Sequence, residues 1–83
     1  MLLKPLHPIV YLSQELIHVE DDIFIYNNTS VKKFVLDKNK ENYLLVLGDY
    51  KKVKFFEGRI ETAVKILIDG NIGWVSQCYY EII

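Results

Sequence analysis

The stretch from Val64 to Val75 constrains this chain more than any other. In Val64-Lys65-Ile66-Leu67-Ile68, β-branched and aliphatic residues alternate so that Val64, Ile66 and Ile68 share one face of a strand and Lys65 takes the other. Asp69-Gly70 follows, and that pair suits the positive backbone angles of a tight hairpin turn. Ile72 to Val75 then has the composition of the returning strand. A hairpin of this kind commits the chain to antiparallel sheet and makes Val64, Ile66, Ile68, Ile72, Trp74 and Val75 candidates for the core or its rim.

The rest of the chain repeats the same signal. Ile23 to Tyr26 is a strand-type run closed by Asn27 and Asn28, and Lys33 to Leu36 and Tyr43 to Leu47 flank the polar insert Asp37 to Asn42, which reads as a hairpin loop. Gly48-Asp49 reads as a break, after which Val53 to Phe56 starts a run that turns at Glu57-Gly58 and continues through Ile60. No stretch of a dozen residues holds a clean helical period. The one candidate helix is Ser13 to Glu20, with Ser13 as its cap and Leu16, Ile17 and Val19 as an imperfect apolar side, although the same letters also suit a strand.

Eighty-three residues, 51% hydrophobic and 25% charged, provide for one core and one domain rather than a disordered chain. The expected division is an extended N-terminal arm over 1–20 and a barrel over 21–83. Apolar runs are strand-sized and far below the roughly 20 residues of a spanning helix. Pro5 and Pro8 interrupt the apolar opening and no small-residue cleavage site follows, so no secretory signal is expected and the location expected is cytoplasmic. Cys78 is the single cysteine, which leaves neither a disulfide nor a zinc-type cluster, so stability must come from packing or self-association.

Charge is uneven beneath a net value of −1. One basic against four acidic residues up to position 30 gives −3, nine against five over 31–65 gives +4, and Asp69 and Glu81 make the remainder −2. A basic middle between acidic ends fits complementarity within the fold or between copies, whereas nucleic-acid modules usually carry a basic excess over the whole domain.

Several short strands with a tight hairpin near the end fit a small barrel. The segment Gly70-Asn71-Ile72-Gly73-Trp74-Val75-Ser76-Gln77-Cys78-Tyr79-Tyr80-Glu81-Ile82-Ile83 resembles the ending of SH3-like barrels, in which a turn glycine leads to Gly-aromatic-Val, a short helical turn carrying Tyr, and a final strand. Gly73-Trp74-Val75 is most similar to bacterial-type SH3 domains. The resemblance implies an all-β SH3-like barrel of five or six antiparallel strands. KOW-like and Tudor-like barrels share the outline. Of the residues that build a polyproline groove in eukaryotic SH3 domains, only Tyr79 is matched. Ser76 stands in place of the Pro and Cys78 in place of the Asn, the Val64–Ile68 strand lacks the groove Trp, and the opening strand motif is missing.

No phosphate-cradling loop or nucleophile elbow is present, so an enzyme is not expected, and no cofactor is implied. Cys78 could meet a histidine in space, but a lone cysteine usually serves as a small hydrophobe. His18, Glu20, Asp21 and Asp22 place four possible ligands close together without the spacing of a calcium or zinc motif, and an exposed acidic turn, which could grip a basic partner, is the simpler reading. Aromatic residues make up 13% of the chain, more than one small core needs. If Val53 and Phe55 face inward then Phe56 faces outward, and Tyr79 and Tyr80 cannot both point in. Tyr50, Phe56, Trp74, Tyr79 and Tyr80 are therefore the expected surface for a protein partner or a second copy. The alternative is a nucleic-acid interface built from Lys51, Lys52, Lys54 and Arg59 beside Tyr50 and Phe56. Pro5-Leu6-His7-Pro8 has the Pro-x-x-Pro spacing of extended ligands, and the apolar arm around it could pack on its own barrel, on another subunit, or in a groove near Tyr79.

Overall fold

A computed structural model of the chain describes residues 1–37, 39–40 and 42–83. The architecture is all-β, with nine strands among the described residues rather than five or six: β1 (Leu2–Pro5), β2 (Ile9–Ser13), β3 (Leu16–Glu20), β4 (Ile23–Tyr26), β5 (Val31–Val35), β6 (Leu44–Lys54), β7 (Ile60–Ile68), β8 (Asn71–Ser76) and β9 (Tyr80–Ile82). Two short 3-10 turns, Asn28–Ser30 and Gln77–Tyr79, join β4 to β5 and β8 to β9. The strands run in the order β3-β4-β6-β7-β8-β2-β5, and β1 lies between β6 and β9.

The hairpin at the C-terminal side forms as its residues demand. Ile68 pairs with Asn71, and Asp69 and Gly70 between them have φ of 47° and 76°, which matches the right-handed strand twist and makes the loop two residues long. Val64, Ile66, Ile68 and Val75 are buried, and the core they build continues through Leu3, Val10, Leu12 and Leu44. Gly73 sits inward opposite Ile66 where β2 crosses over it. A Cβ there would stand 2.6 Å from both the Leu12 side chain and the Ser13 carbonyl, so only glycine lets β8 approach β2 this closely. Trp74 is half-buried and belongs to the rim, but Ile72 is 51% exposed and outside the core expected for it. Its partner Leu67 faces outward, and pairing in register forces Ile72 to the same face.

Ser13–Glu20, open between helix and strand in the sequence, forms the end of β2 followed by β3, and three other readings are overturned. The Ser13 hydroxyl donates to the Glu15 carbonyl, 2.7 Å, instead of accepting from a helical N–H, and the Leu16, Ile17 and His18 backbone pairs with β4. Residues 1–20 are not a separate arm, since they supply three strands and the core residues Leu3, Val10 and Leu12. The insert from Asp37 to Asn42, of which Lys38 and Glu41 lie outside the described residues, does not close a hairpin. β5 pairs with β2, placing Phe34 opposite Val10, while β6 pairs with β1, β4 and β7. Nor does Gly48-Asp49 end a strand: β6 runs through it, with its register against β7 shifting between Val46 and Tyr50. The turn after β6 is as read, the Phe55 N–H bonding the Arg59 carbonyl at 2.8 Å.

Among the described residues no helix is long and apolar enough to cross a membrane.

Candidate binding groove

β4 alternates with Phe24 and Tyr26 on one face, and its parallel pairing to β6 sets Phe24 beside Val53. Tyr26 thus reaches the turn after β6, where its ring meets Phe55 with centroids 5.8 Å apart and planes tilted by 55°. From the opposite side come β2, which turns Tyr11 outward between the buried Val10 and Leu12, and the 3-10 turn after β8, which carries Tyr79. The segment after β1 lies along that turn: the Leu6 N–H donates to the Tyr79 carbonyl at 3.1 Å, and the His7 ring is 6.2 Å from that of Tyr79. Pro5, His7 and Pro8 on one side and Tyr26 and Phe55 on the other enclose a cleft of about 610 Å³, with Ser76, Tyr79 and Tyr80 also lining it. No Asp, Glu, Lys or Arg is among its lining residues.

Polar groups below the cleft form a closed set. Glu61 receives Arg59 Nε at 2.9 Å on one oxygen and, on the other, the Ser76 hydroxyl and the Cys78 thiol at 3.3 Å. The Ser76 hydroxyl and the Cys78 sulfur are 3.1 Å apart. The buried Tyr26 hydroxyl makes no hydrogen bond of good geometry among the described residues. Burial is the main reason its pKa stands far above the ordinary phenol value; the nearby Ser76 hydroxyl eases that only in part, and the negative charge of Glu61 adds to it. Burial, and to a lesser degree Cys78, pushes Tyr80 up to about 12. Both phenols stay protonated and able to donate.

Comparison with protein-family models, with curated proteins and with solved structures returns no match for this chain.

The aromatic surface expected from the sequence divides. Tyr79 and Tyr80 line the cleft, with Tyr79 48% exposed at its mouth and Tyr80 packed against the core. The other three do not line it. Phe56 projects from the β6–β7 turn fully exposed, Tyr50 lies at the β6 bulge with its hydroxyl 3.7 Å from the Met1 sulfur, and Trp74 sits under the Lys65 ammonium at 5.9 Å. Tyr11, Tyr26 and Phe55 are not among the expected site residues; long-range strand pairing brings them here, and the sequence signal nearest to it is the Pro5–Pro8 spacing beside Tyr79.

The basic residues do not form one face. Lys51 and Lys52 are successive on β6 and point to opposite sides, with Lys51 lying over the Phe24 ring at 5.3 Å. Lys54 is 3.7 Å from Glu20, and Arg59 is held by Glu61 while its guanidinium covers Phe55 at 5.0 Å. In the acidic turn, Glu20 is thus engaged with Lys54, and the His18 Nε2–H donates to the Asp21 carbonyl. No three His, Cys, Asp or Glu side chains converge as metal ligands among the described residues. Cys78 is engaged with Ser76 and Glu61 rather than with a histidine.

Proposed function

We propose that this domain is a protein-interaction module whose cleft holds an extended, uncharged, apolar segment of a partner protein. The observation that carries the reading is the lining of the cleft: aromatic rings and prolines on its walls, hydroxyls at its floor, and no charged side chain. Aromatic side chains give large contact area at low entropic cost, and a few fixed polar groups are what orients a ligand in such a site. An uncharged lining selects against charged segments, which would lose water without gaining a counter-charge.

The same proposal takes the fold as an SH3-like barrel with added N-terminal strands. Its support is the run of the chain from the Asp-Gly hairpin through a single 3-10 turn bearing Tyr79 into the last strand. It also places the module in the cytoplasm, where a solitary thiol stays reduced.

The test is an array of extended peptides probed with the purified domain and with Tyr79→Ala. Retention of uncharged apolar peptides, lost in the variant, is the expected result. Equal retention by both proteins, or none by either, overturns the proposal. Retention that collapses as salt rises overturns it in favour of phosphate-type contacts through Lys51, Lys52, Lys54 and Arg59.

A further inference from the structure

The outward faces of four neighbouring strands carry one continuous apolar row. Leu2 on β1 pairs with Leu45 on β6, Leu45 with Leu67 on β7, and Leu67 with Ile72 on β8. Leu2, Leu45 and Ile72 are 40%, 43% and 51% exposed, and Leu67 between them is half-buried. Leu47 and Trp74 extend the row along the strands on one side. None of these six lines the cleft. The row is not surplus from the core, because the inward neighbours Leu3, Leu44, Ile66 and Ile68 already close it. Contiguous exposed apolar surface of this kind marks an interface.

We infer that this row is the contact face of a symmetric dimer of the chain. The argument for a second copy is charge placement along β7 and the turn that follows it. Lys65 lies on β7 two residues before Leu67, and Asp69 lies in the turn that follows the strand, two residues after Leu67, so the row runs between a cation and an anion. A two-fold axis along the row lays each chain's row on the other's and reverses the strand direction, bringing Lys65 of each chain opposite Asp69 of its partner twice. Asp69 is exposed and its carboxylate has no ion pair among the described residues, while the contact of Lys65 with exposed Asp49 is a loose 3.6 Å. The stacking is the ordinary face-to-face packing of two sheets about 10 Å apart.

Analytical ultracentrifugation over a concentration series tests this. The unmodified protein is expected to sediment as a dimer that dissociates on dilution. Leu45→Lys and Ile72→Lys change exposed positions, and each is expected to weaken association by about tenfold or more with the circular dichroism of the folded sheet retained. Two variants guard against a misfolded one being read as a monomer. Lys65→Glu is expected to weaken the dimer, and adding Asp69→Asn to recover part of the loss; Asn is tolerated at the positive φ of position 69. A monomer at every concentration overturns the proposal. So does a dimer that persists in both lysine variants, because its interface then lies elsewhere. A dimer broken by the lysines but indifferent to Lys65→Glu overturns the two-fold arrangement along the row.

Discussion

The β7–β8 hairpin and the cleft at the other side of β8 are built from the same kinds of residue and put them to opposite use. In the hairpin, Val64, Ile66 and Val75 are sealed from solvent and a glycine has been spent to let a crossing strand come close. In the cleft, rings stand apart at 5.8 and 6.2 Å between centroids, Tyr79 is half open, and a buried hydroxyl lacks a partner. Interiors gain stability by filling space and pairing every polar group. Where a domain leaves both conditions unmet in one place, as this one does between Tyr26 and Tyr79, the missing contacts suit something other than the chain itself. The hairpin should therefore govern stability and the cleft should govern binding.

The largest effect that would break this division is expected from the hairpin. Ile66→Ala removes a fully buried side chain between two paired strands and should cost about 4 kcal/mol of unfolding free energy by urea denaturation. Gly73→Ala should follow at about 3 kcal/mol, because the added methyl meets the Ser13 carbonyl, which is backbone, as well as a leucine side chain. A Gly73→Ala protein with an unchanged denaturation midpoint would mean that β2 does not cross β8 as closely as described.

How far each region could be read from the sequence follows from the range of its interactions. Val64, Ile66 and Ile68 alternate on one face, and Asp69-Gly70 permits one turn geometry, so the hairpin was legible from about a dozen adjacent residues. The outward turn of Phe56 was legible in the same local way. Ile72 was misplaced because its face depends on register with Leu67, not on its own apolarity. The β5–β2 and parallel β4–β6 pairings join segments distant in sequence, and nothing within Lys33–Leu36 or Ile23–Tyr26 names the partner. Ser13–Glu20 stays open between helix and strand for a related reason: its apolar letters fit either period, and pairing with β4 decides it. Of the cleft, Tyr79 is legible through the motif-like ending and Tyr80 through the parity of the pair, while Tyr11, Tyr26 and Phe55 come together only through those long-range pairings.

A smaller effect should appear at alkaline pH. Tyr80 titrates at about 12 in the folded chain against about 10 when unfolded, and Tyr26 is raised further still. The unfolded chain then loses these protons first and binds fewer than the folded chain, so the slope of stability with pH is negative in that window. Stability should be flat in this respect below pH 10 and fall as pH rises from about 10 through 12. Tyr80→Phe should flatten part of the decline in thermal midpoints measured across that range, and a decline of unaltered steepness would remove Tyr80 from the account.

The smallest expected change in stability has the opposite sign, and it separates the two regions most sharply. Tyr26→Phe keeps the ring, its contact with Phe55 and its place on β4, and deletes only the hydroxyl that finds no partner. A buried polar group without a partner costs its lost hydration, so removing it should raise the unfolding free energy by about 1 kcal/mol. The hydroxyl has essentially no accessible surface, so the same substitution should leave retention of the uncharged peptides unchanged. A protein made more stable and equally able to bind is the expected result, because the ring that lines the cleft is kept. Loss of stability in Tyr26→Phe would instead show that the hydroxyl is satisfied within the fold, by Ser76 or by water, and that the polar groups behind the cleft form one network with β4.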